Sequence, residues 1–346
     1  MALTLHVDGE RWRTHLRRLA EETPGLVPVA KGNGYGFTLG RLARKAGWLG
    51  VDTLAVGMYE ELPEVASRYA GDLLVLTPWR SFHPAPDPDL ARRVVHTVSR
   101  PEDLAGLLAA QPGARYVLEL ATSMRRHGMS AAELWSLAGP ARGGRLEGVA
   151  LHLPLASGSH LPEVERLLTD VVAAGLPTTT VWVSHLTPDE LATLRASYAD
   201  LTIRPRTGTA LWLGDRGALR VSADVLDVHA LRRGDVFGYR GRAFPRDGRL
   251  LVVSGGTAHG IGLEAPKGET GLKARAAVLA RGGMDAMGLT RSPFWVGGKQ
   301  RLFAEPPHMQ ASMLYLPSDA EVPAVGDVAE VRVRYTTTAF DRVVVG

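Results

Sequence analysis

Short β-rich apolar runs alternate with segments of helical pattern along the N-terminal part of the chain, and this alternation constrains the fold more than any other feature. The runs cover residues 25–31, 53–58, 72–78, 94–99, 114–122, 146–155, 179–186 and 201–211. Strands that alternate with helices are expected to pair in parallel. Eight such units predict a (β/α)8 TIM barrel, with an open doubly wound sheet as the alternative. No Gly-x-Gly-x-x-Gly turn follows the first strand, which counts against a dinucleotide-binding fold.

After about residue 220 the pattern changes to strands broken by turn residues. Residues 220–244, 248–263, 311–317 and 327–345 carry this pattern, and no strong helix interrupts them. We therefore predict an α/β barrel domain over residues 1–220 and a C-terminal β-rich domain over residues 221–346. The opening strand-like segment, residues 3–8, is a candidate for pairing with the second domain.

Composition narrows the cellular setting and the classes of partner. The chain has no cysteine, which excludes disulfides and thiolate metal sites and fits a cytoplasmic protein. It has no run of 18 apolar residues, and its start lacks the pattern of a signal peptide, so we expect no membrane span and no secretion. Basic residues are not clustered with aromatics, so we expect no nucleic-acid partner.

Five polar residues lie at or near the predicted barrel strands. Lys31 ends the first strand, Arg126 follows the fifth, His152 and His185 lie near the ends of the sixth and seventh, and Arg206 lies within the eighth. Each alone has an ordinary structural explanation, such as a hydrogen-bonded histidine or an ion-paired arginine. Active sites of (β/α)8 barrels lie at the C-terminal ends of the strands. The joint pattern therefore predicts a functional site at this rim.

Lysine is rare in this chain, with five lysines against 35 arginines. Lys31 lies at the end of the first strand, where partial burial and cationic neighbours would lower its pKa and let it form a Schiff base. Pyridoxal 5'-phosphate requires such a lysine, a phosphate cup and a partner for its ring nitrogen. The backbone amides of Gly208 and Thr209 could form the cup, and Arg206 could face the ring nitrogen.

The segment "VAKGNGYGF" (residues 29–37) resembles the cofactor-lysine motif of alanine racemases, which are fold-type III pyridoxal phosphate enzymes with a barrel and a C-terminal β domain. The resemblance implies a Schiff-base role for Lys31, and contacts to the cofactor phosphate by Tyr35, Gly208 and Thr209. It also implies that Arg126 contacts the phenolic oxygen.

The same resemblance implies that His152 packs on the pyridine ring and that Arg206 meets its nitrogen. His185 lies where the family has a phosphate-binding serine and could itself bind phosphate. Met309 matches a methionine that reaches the substrate carboxylate in the partner subunit, which implies a homodimer.

The chain departs from the family at its second base. The resemblance implies that a lysine serves the α-proton of the D-enantiomer and a tyrosine that of the L-enantiomer. Thr257 stands at the tyrosine position and is not a plausible base near neutral pH. His259 titrates in a useful range and, in a strand, would lie on the same face about 6 to 7 Å along. Glu119 replaces a family lysine that is often carbamylated and could keep its negative charge.

We therefore predict a pyridoxal phosphate-dependent amino-acid racemase that interconverts L- and D-alanine or a related small amino acid. Lys31 would be one base, and His259 or a water relay the other, with Arg126, Thr257 and Met309 binding substrate. The alternatives are a one-base enzyme acting at the α-carbon and a non-catalytic paralogue that binds the cofactor. We expect no metal, because the β domain lacks a His-x-Asp or His-x-Cys-x-Asp ligand cluster.

Overall fold

The structure is a computed structural model that describes residues 2–137, 144–155, 157–263 and 290–346. The chain forms two compact units. One comprises residues 13–214, and the other comprises residues 1–12 together with residues 215–346. The sequence-based boundary at residue 220 lies close to the division between residues 214 and 215.

The strands in chain order are β1 (Leu3–Val7), β2 (Val27–Ala30), β3 (Thr53–Val56), β4 (Asp72–Pro78), β5 (Val94–Val98), β6 (Arg115–Leu120), β7 (Arg145–His152), β8 (Thr180–Ser184), β9 (Thr202–Thr207), β10 (Leu219–Leu231), β11 (Val236–Phe237), β12 (Arg242–Ala243), β13 (Gly248–Ser254), β14 (Arg291–Val296), β15 (Lys299–Phe303), β16 (Ala311–Pro317), β17 (Val328–Val331) and β18 (Arg342–Val345). The α-helices are α1 (Gly9–Glu22), α2 (Leu39–Leu49), α3 (Leu62–Ala66), α4 (Pro88–Ala91), α5 (Pro101–Ala110), α6 (Ala131–Ser136), α7 (Leu161–Ala173), α8 (Pro188–Ser197) and α9 (Thr209–Leu213).

Strands β2 to β9 close into a parallel barrel in chain order. Each strand pairs with the next, and β9 pairs with β2 to complete the ring. The predicted (β/α)8 barrel is therefore confirmed, and the open doubly wound sheet is excluded. Closure leaves no unpaired strand edge, because every strand has two neighbours.

The interior of the barrel is packed rather than hollow. One apolar cluster takes at least one side chain from each strand β2 to β8: Val27, Val29, Ala55, Leu74, Val95, Val117, Ala150 and Trp182. A second apolar cluster includes residues of strands and of helices α5 to α8. Burial on both faces explains why the strands are nearly continuous apolar runs and lack polar alternation.

Helix starts in the barrel unit carry the expected local signals. At α8 the Thr187 hydroxyl accepts from the Glu190 amide while the Glu190 carboxylate accepts from the Thr187 amide, and Ser130 and Glu133 repeat this exchange at α6. A proline occupies the first turn of α5, α7 and α8, where no amide donor is needed.

Among the residues that the structure describes, no helix is long and apolar enough to cross a membrane.

The second unit is built on an eight-stranded sheet in the order β13-β16-β15-β14-β17-β10-β1-β18. Strand β1 belongs to this sheet, since it pairs antiparallel with β10 and parallel with β18. Leu3 and Leu5 on β1 are fully buried there. The β-rich C-terminal domain predicted from the sequence is confirmed, with the N-terminal strand as one of its members.

Candidate active site

Lys31 directly follows β2, at the carboxyl end of the barrel. A tight turn carries the chain onward: the Gly34 amide donates to the Lys31 carbonyl at 3.1 Å, and Gly32 and Gly34 have φ of 58° and 62°. Glycine suits these positions because they require the left-handed region. The Lys31 side chain is exposed at this end. Its pKa is nevertheless lowered, first because the surrounding protein displaces water and then because Arg126 and Arg206 repel its charge, while Glu61 opposes the shift.

Glu61 anchors the Lys31 turn, and the sequence analysis did not identify it. Its buried carboxylate accepts from the amides of Gly32 and Gly57, both at 2.6 Å. A side chain at Gly57 would meet both Lys31 Cβ and the Glu61 carboxylate, so the two loops approach closely. Glu61 thus ties the loop after β3 to the lysine and places a negative charge beside it.

We expect Glu61→Gln to lower the free energy of unfolding by about 2–3 kcal/mol, because an amide cannot accept both charge-assisted hydrogen bonds. Urea denaturation measures the change. Glu64→Gln is the matched control, since the Glu64 carboxylate is exposed and accepts from one amide, that of Gly40, at 2.9 Å. Equal effects of the two substitutions would contradict an anchoring role for Glu61.

Tyr35 and Gly208 meet at one side of this rim. Tyr35 has φ of 55° and is buried, and burial followed by the charge of Glu61 raises its pKa to about 12. Its phenol therefore stays protonated and can donate a hydrogen bond. A Cβ at Gly208 would strike the Tyr35 hydroxyl, so only glycine fits there. Thr209 begins α9, and its amide has no acceptor within the helix.

A polar layer lies above the apolar layer of the barrel interior. Side chains on one face of a strand recur every second residue, so Glu119, His152, Ser184 and Arg206 follow Val117, Ala150, Trp182 and Arg204 on the inward face. Strand register sets His152 beside Ser184 and Ser184 beside Arg206.

Arg206 is buried, and one of its donors has no partner. Its Nη2 donates to the Leu151 carbonyl at 2.9 Å, whereas its Nε has no hydrogen-bond partner in the structure. Burial first, and then the charge of Arg126, lowers the Arg206 pKa to about 10 even though Glu119 opposes the shift, so the side chain stays charged at neutral pH. An unpaired, buried donor of this kind is costly unless a ligand acceptor meets it.

Glu119 is the negative group among these arginines. It is 3% exposed, and its Oε2 also has no hydrogen-bond partner. Burial raises the pKa of the Glu119 carboxyl, while Arg206, Arg126 and Arg80 act in the opposite direction. Glu119 acts on the Arg206 pKa in the direction expected of a counter-charge.

His152 and His185 are neutral at physiological pH. The His152 Nδ1 lies 2.9 Å from the Ser184 hydroxyl, and burial followed by nearby cations, Arg206 first, lowers the His152 pKa to about 3. Burial, Arg206 and Lys31 also lower the pKa of His185, whose ring lies edge-on to His152 at 5.3 Å. An uncharged imidazole can pack on a flat aromatic ligand without the cost of a buried charge.

The barrel residues predicted from the sequence lie at one rim, and several influence one another electrostatically. The charges of Arg206 and Arg126 lower the pKa of both Lys31 and His152. The charges of Arg206, Lys31 and Arg126 lower the pKa of His185. Thr257, His259 and Met309 belong to the other compact unit. Ser184 was missed because His185, its neighbour, matched the family position by sequence alone.

The expectation that His259 shares a strand face with Thr257 is wrong, because residues Thr257–His259 form a single 3₁₀ turn. The His259 ring is 8% exposed. Its Nδ1 accepts from the Gly256 amide, and its Nε2 lies 3.1 Å from both carboxylate oxygens of Asp341, which also accepts from the Leu3 amide. With both ring nitrogens engaged, this geometry favours a structural role over that of a base.

Thr257 and Met309 lie on adjoining loops of the same unit. The Thr257 amide donates to the His308 carbonyl at 2.8 Å, and the Ala258 amide donates to the Met309 carbonyl at 3.0 Å. The Met309 side chain is 73% exposed.

Within the described parts of the chain, no group of three or more histidine, aspartate or glutamate side chains could hold a metal ion.

Comparison with known proteins decides the family. The family profile described as "Alanine racemase, N-terminal domain" matches residues 7–210. The chain belongs to the alanine racemase family. No curated protein matches it in a sequence search.

Solved alanine racemases share the fold over nearly the whole chain. The enzyme from D-cycloserine-producing Streptomyces lavendulae has a TM-score of 0.69 at 20% identity and covers 100% of this chain and 97% of its own. That from Bartonella henselae, solved with covalently bound pyridoxal phosphate, has a TM-score of 0.69 at 18% identity, with 97% and 91% coverage. The biosynthetic enzyme from Pseudomonas aeruginosa has a TM-score of 0.66 at 22% identity, with 96% and 91% coverage. Identities this low establish the fold only.

Proposed function

We propose that this protein is a pyridoxal phosphate-dependent racemase of alanine or a related small amino acid. The observation that carries the proposal is the buried Arg206 with its unpaired Nε, in a polar layer that also holds neutral His152, at the barrel end that carries Lys31. A pyridine nitrogen would accept the hydrogen of that donor. A side chain at position 208 would strike the Tyr35 hydroxyl, so glycine stands there and its loop would offer backbone amides to a phosphate.

Each barrel residue has a defined task in this proposal. Lys31 would hold the cofactor covalently and accept the α-hydrogen on one face of the substrate, helped by its lowered pKa. When bound, pyridoxal phosphate supplies an electron-withdrawing ring that takes up the charge left at the α-carbon. Arg206 stays protonated and gives no proton to the ring nitrogen. Arg126 would bind substrate and the phenolic oxygen.

The substrate class and reaction can be tested directly. We expect purified holoenzyme to convert L-alanine and D-alanine into the same mixture of both, which chiral chromatography measures over a panel of L- and D-amino acids. Turnover of one enantiomer to a different product would favour the one-base alternative. The observation that favours the one-base alternative is the threonine at position 257, where the family has its tyrosine. Cofactor binding without turnover of any amino acid would favour the non-catalytic alternative.

We propose that the working protein is a homodimer in which Met309 of each subunit contributes to the other's site. Single exposed apolar side chains are common on protein surfaces. The Met309 side chain, however, is 73% exposed on a loop next to that of Thr257, which fits a residue of an interface. We expect a dimer at micromolar concentration by sedimentation, and Met309→Asp should raise its dissociation constant at least about 10-fold. Val325→Asp, at another exposed apolar site, is the control. A monomer that retains cofactor would contradict the proposal.

A further inference from the structure

The loop between β6 and α6 carries Arg126, and backbone contacts close its base at the rim of the barrel. The Ala121 amide donates to the Met129 carbonyl at 2.8 Å, and the Met129 amide donates to the Glu119 carbonyl at 2.8 Å. A Cβ at Gly128 would collide with the facing backbone of the same loop, so the two ends of the loop approach closely. The base of this loop is therefore narrow and fixed to the end of β6.

The Arg126 side chain has no polar contact of its own that fixes it. It is exposed and makes neither a hydrogen bond nor an ion pair with any residue that the structure describes. The neighbouring Arg125 has φ of 50°, which is uncommon for a residue other than glycine, and its amide donates to the Thr122 carbonyl at 2.9 Å. The position of the Arg126 charge therefore depends on how the loop itself is held.

Glu163, in the first turn of α7, holds the first half of this loop. Its Oε1 accepts from the Ser123 amide at 2.5 Å, and its Oε2 accepts from the Ser123 hydroxyl at 2.7 Å. Hydrogen bonds to an ionised carboxylate are stronger than neutral ones, and binding through both oxygens also fixes orientation. Next to this contact, the Thr122 hydroxyl donates to the His152 carbonyl at 2.7 Å. Glu163 thus ties the loop to the helix that follows the next barrel strand.

The same arrangement recurs at two other positions around the rim. Glu61, Glu163 and Glu190 each lie at the start of the helical segment after one barrel strand, and each accepts from the loop after the preceding strand. At Glu61 the donor is the Gly32 amide at 2.6 Å, and at Glu190 it is the His160 amide at 2.7 Å. Of the loops held in this way, the one bound by Glu163 alone contains arginine.

The charge of Arg126 acts on Lys31. Burial first, and then Arg126, lowers the pKa of Lys31, with a further contribution from Arg206, while Glu61 opposes the shift. Two histidines also respond to the charge of Lys31, namely His152 and His185. Lysine must lose its proton before it can attack an aldehyde. The place of the Arg126 charge therefore bears on the reactivity of Lys31.

We propose that Glu163 is a positioning residue whose carboxylate holds the loop of residues 121–129, so that the Arg126 guanidinium stays near Lys31 at the rim of the barrel. All three residues belong to one compact unit. The inference rests on the proposed function for its consequence, because there Lys31 holds the cofactor and Arg126 binds substrate and the phenolic oxygen.

Amide hydrogen–deuterium exchange of the full-length protein, followed by mass spectrometry, tests the anchor. We expect Glu163→Gln to speed exchange in residues 121–129 by about tenfold or more, because glutamine offers one neutral acceptor where the carboxylate offers two charged ones. Exchange in residues 27–37 should not change. Glu165→Gln is the matched control, since the Glu165 carboxylate lies on α7 and has no polar partner among the described residues. Unchanged exchange of residues 121–129 in Glu163→Gln would overturn the inference.

The titration of Lys31 shows whether the anchor acts through Arg126. The chain has five lysines, so methylation with carbon-13 gives few resonances in proton–carbon NMR spectra, and Lys31→Ala identifies that of Lys31. Arg126→Gln should raise the pKa of Lys31, because it removes a repelling charge. Glu163→Gln should raise this pKa by a smaller amount. The double substitution should raise it no further than Arg126→Gln alone, and Glu165→Gln should leave it unchanged.

The direction of the shift separates loss of the anchor from loss of a charge. Removal of the negative charge of Glu163 would by itself lower the pKa of Lys31, because the ammonium loses an attraction. Displacement of Arg126 raises it. A lowered or unchanged pKa of Lys31 in Glu163→Gln would therefore overturn the inference. So would a shift in the double substitution that exceeds the shift in Arg126→Gln.

Failure of the inference and failure of the proposed function can be told apart, because neither measurement needs the cofactor. If borohydride fixes no pyridoxal phosphate on Lys31 of the unsubstituted protein, the proposed function is overturned, while a raised pKa of Lys31 in Glu163→Gln would still support the inference. A borohydride label on Lys31, together with a Lys31 titration that Glu163→Gln leaves unchanged, overturns the inference alone.

Discussion

Under the proposed function, Lys31→Ala should abolish the covalent attachment of pyridoxal phosphate and lower the proposed racemase activity by at least about 10⁴-fold, the upper end expected for loss of a proton-transfer group. Loss of the nucleophile also removes the covalent step itself. The fold should survive, because the Lys31 side chain is exposed and is not packed in the core. Borohydride reduction followed by peptide mass spectrometry, with circular dichroism for the fold, measures both effects.

Lys45→Ala is the matched control for this substitution. Lys45 lies on α2 in the same unit, and its ammonium packs over the Trp48 ring at 4.6 Å, away from the strand ends. We expect it to retain cofactor and activity. A borohydride label on Lys45 or Lys299, or on Lys267 or Lys273, which lie outside the described residues, would contradict the assignment of Lys31.

The barrel was predictable from the sequence because burial on both faces makes each strand an apolar run that stands out from its flanking helices. The predicted run at 72–78 coincides with β4, and the others lie within a few residues of their strands. The pairing of β1 with the second unit could be named from the sequence only as a candidate. It depends on contacts with strands near the other end of the chain, such as β18, which no local pattern reveals.

The placement of Lys31 at the end of a barrel strand was predictable, because a lone lysine after an apolar run stands out in the sequence. Glu61 was missed because its role depends on hydrogen bonds from the amides of two loops that are separate in sequence. A glutamate at the start of a helix also has an ordinary explanation. The position of His259 was misjudged because the strand was extrapolated past Gly255, where φ of 97° ends it and a turn begins. A glycine permits such a turn but does not require it, so the local sequence does not decide between a turn and a continued strand.

His259→Ala should destabilise the protein by about 2–4 kcal/mol and leave the ratio of α-hydrogen exchange to net inversion unchanged. The substitution removes the acceptor of the Gly256 amide and the partner of Asp341, and each lost hydrogen bond to a charged or buried group costs about 1–3 kcal/mol. Urea denaturation gives the stability, and proton NMR with chiral chromatography of D-alanine in deuterated buffer gives the two rates.

His229→Ala is the control, because His229 is exposed and its contact with Asp227, at 3.4 Å, lies at the surface and is expected to contribute under about 1 kcal/mol. If His259 were instead the second base, its loss would change the ratio of exchange to inversion, whatever its effect on stability. D-Alanine would then lose its hydrogen to Lys31 and regain a deuteron on the same face, so exchange would outrun inversion by about 10². The turn geometry predicts an unchanged ratio, since one ring nitrogen accepts a backbone hydrogen and the other faces a carboxylate, so both stabilise the loop beside Thr257.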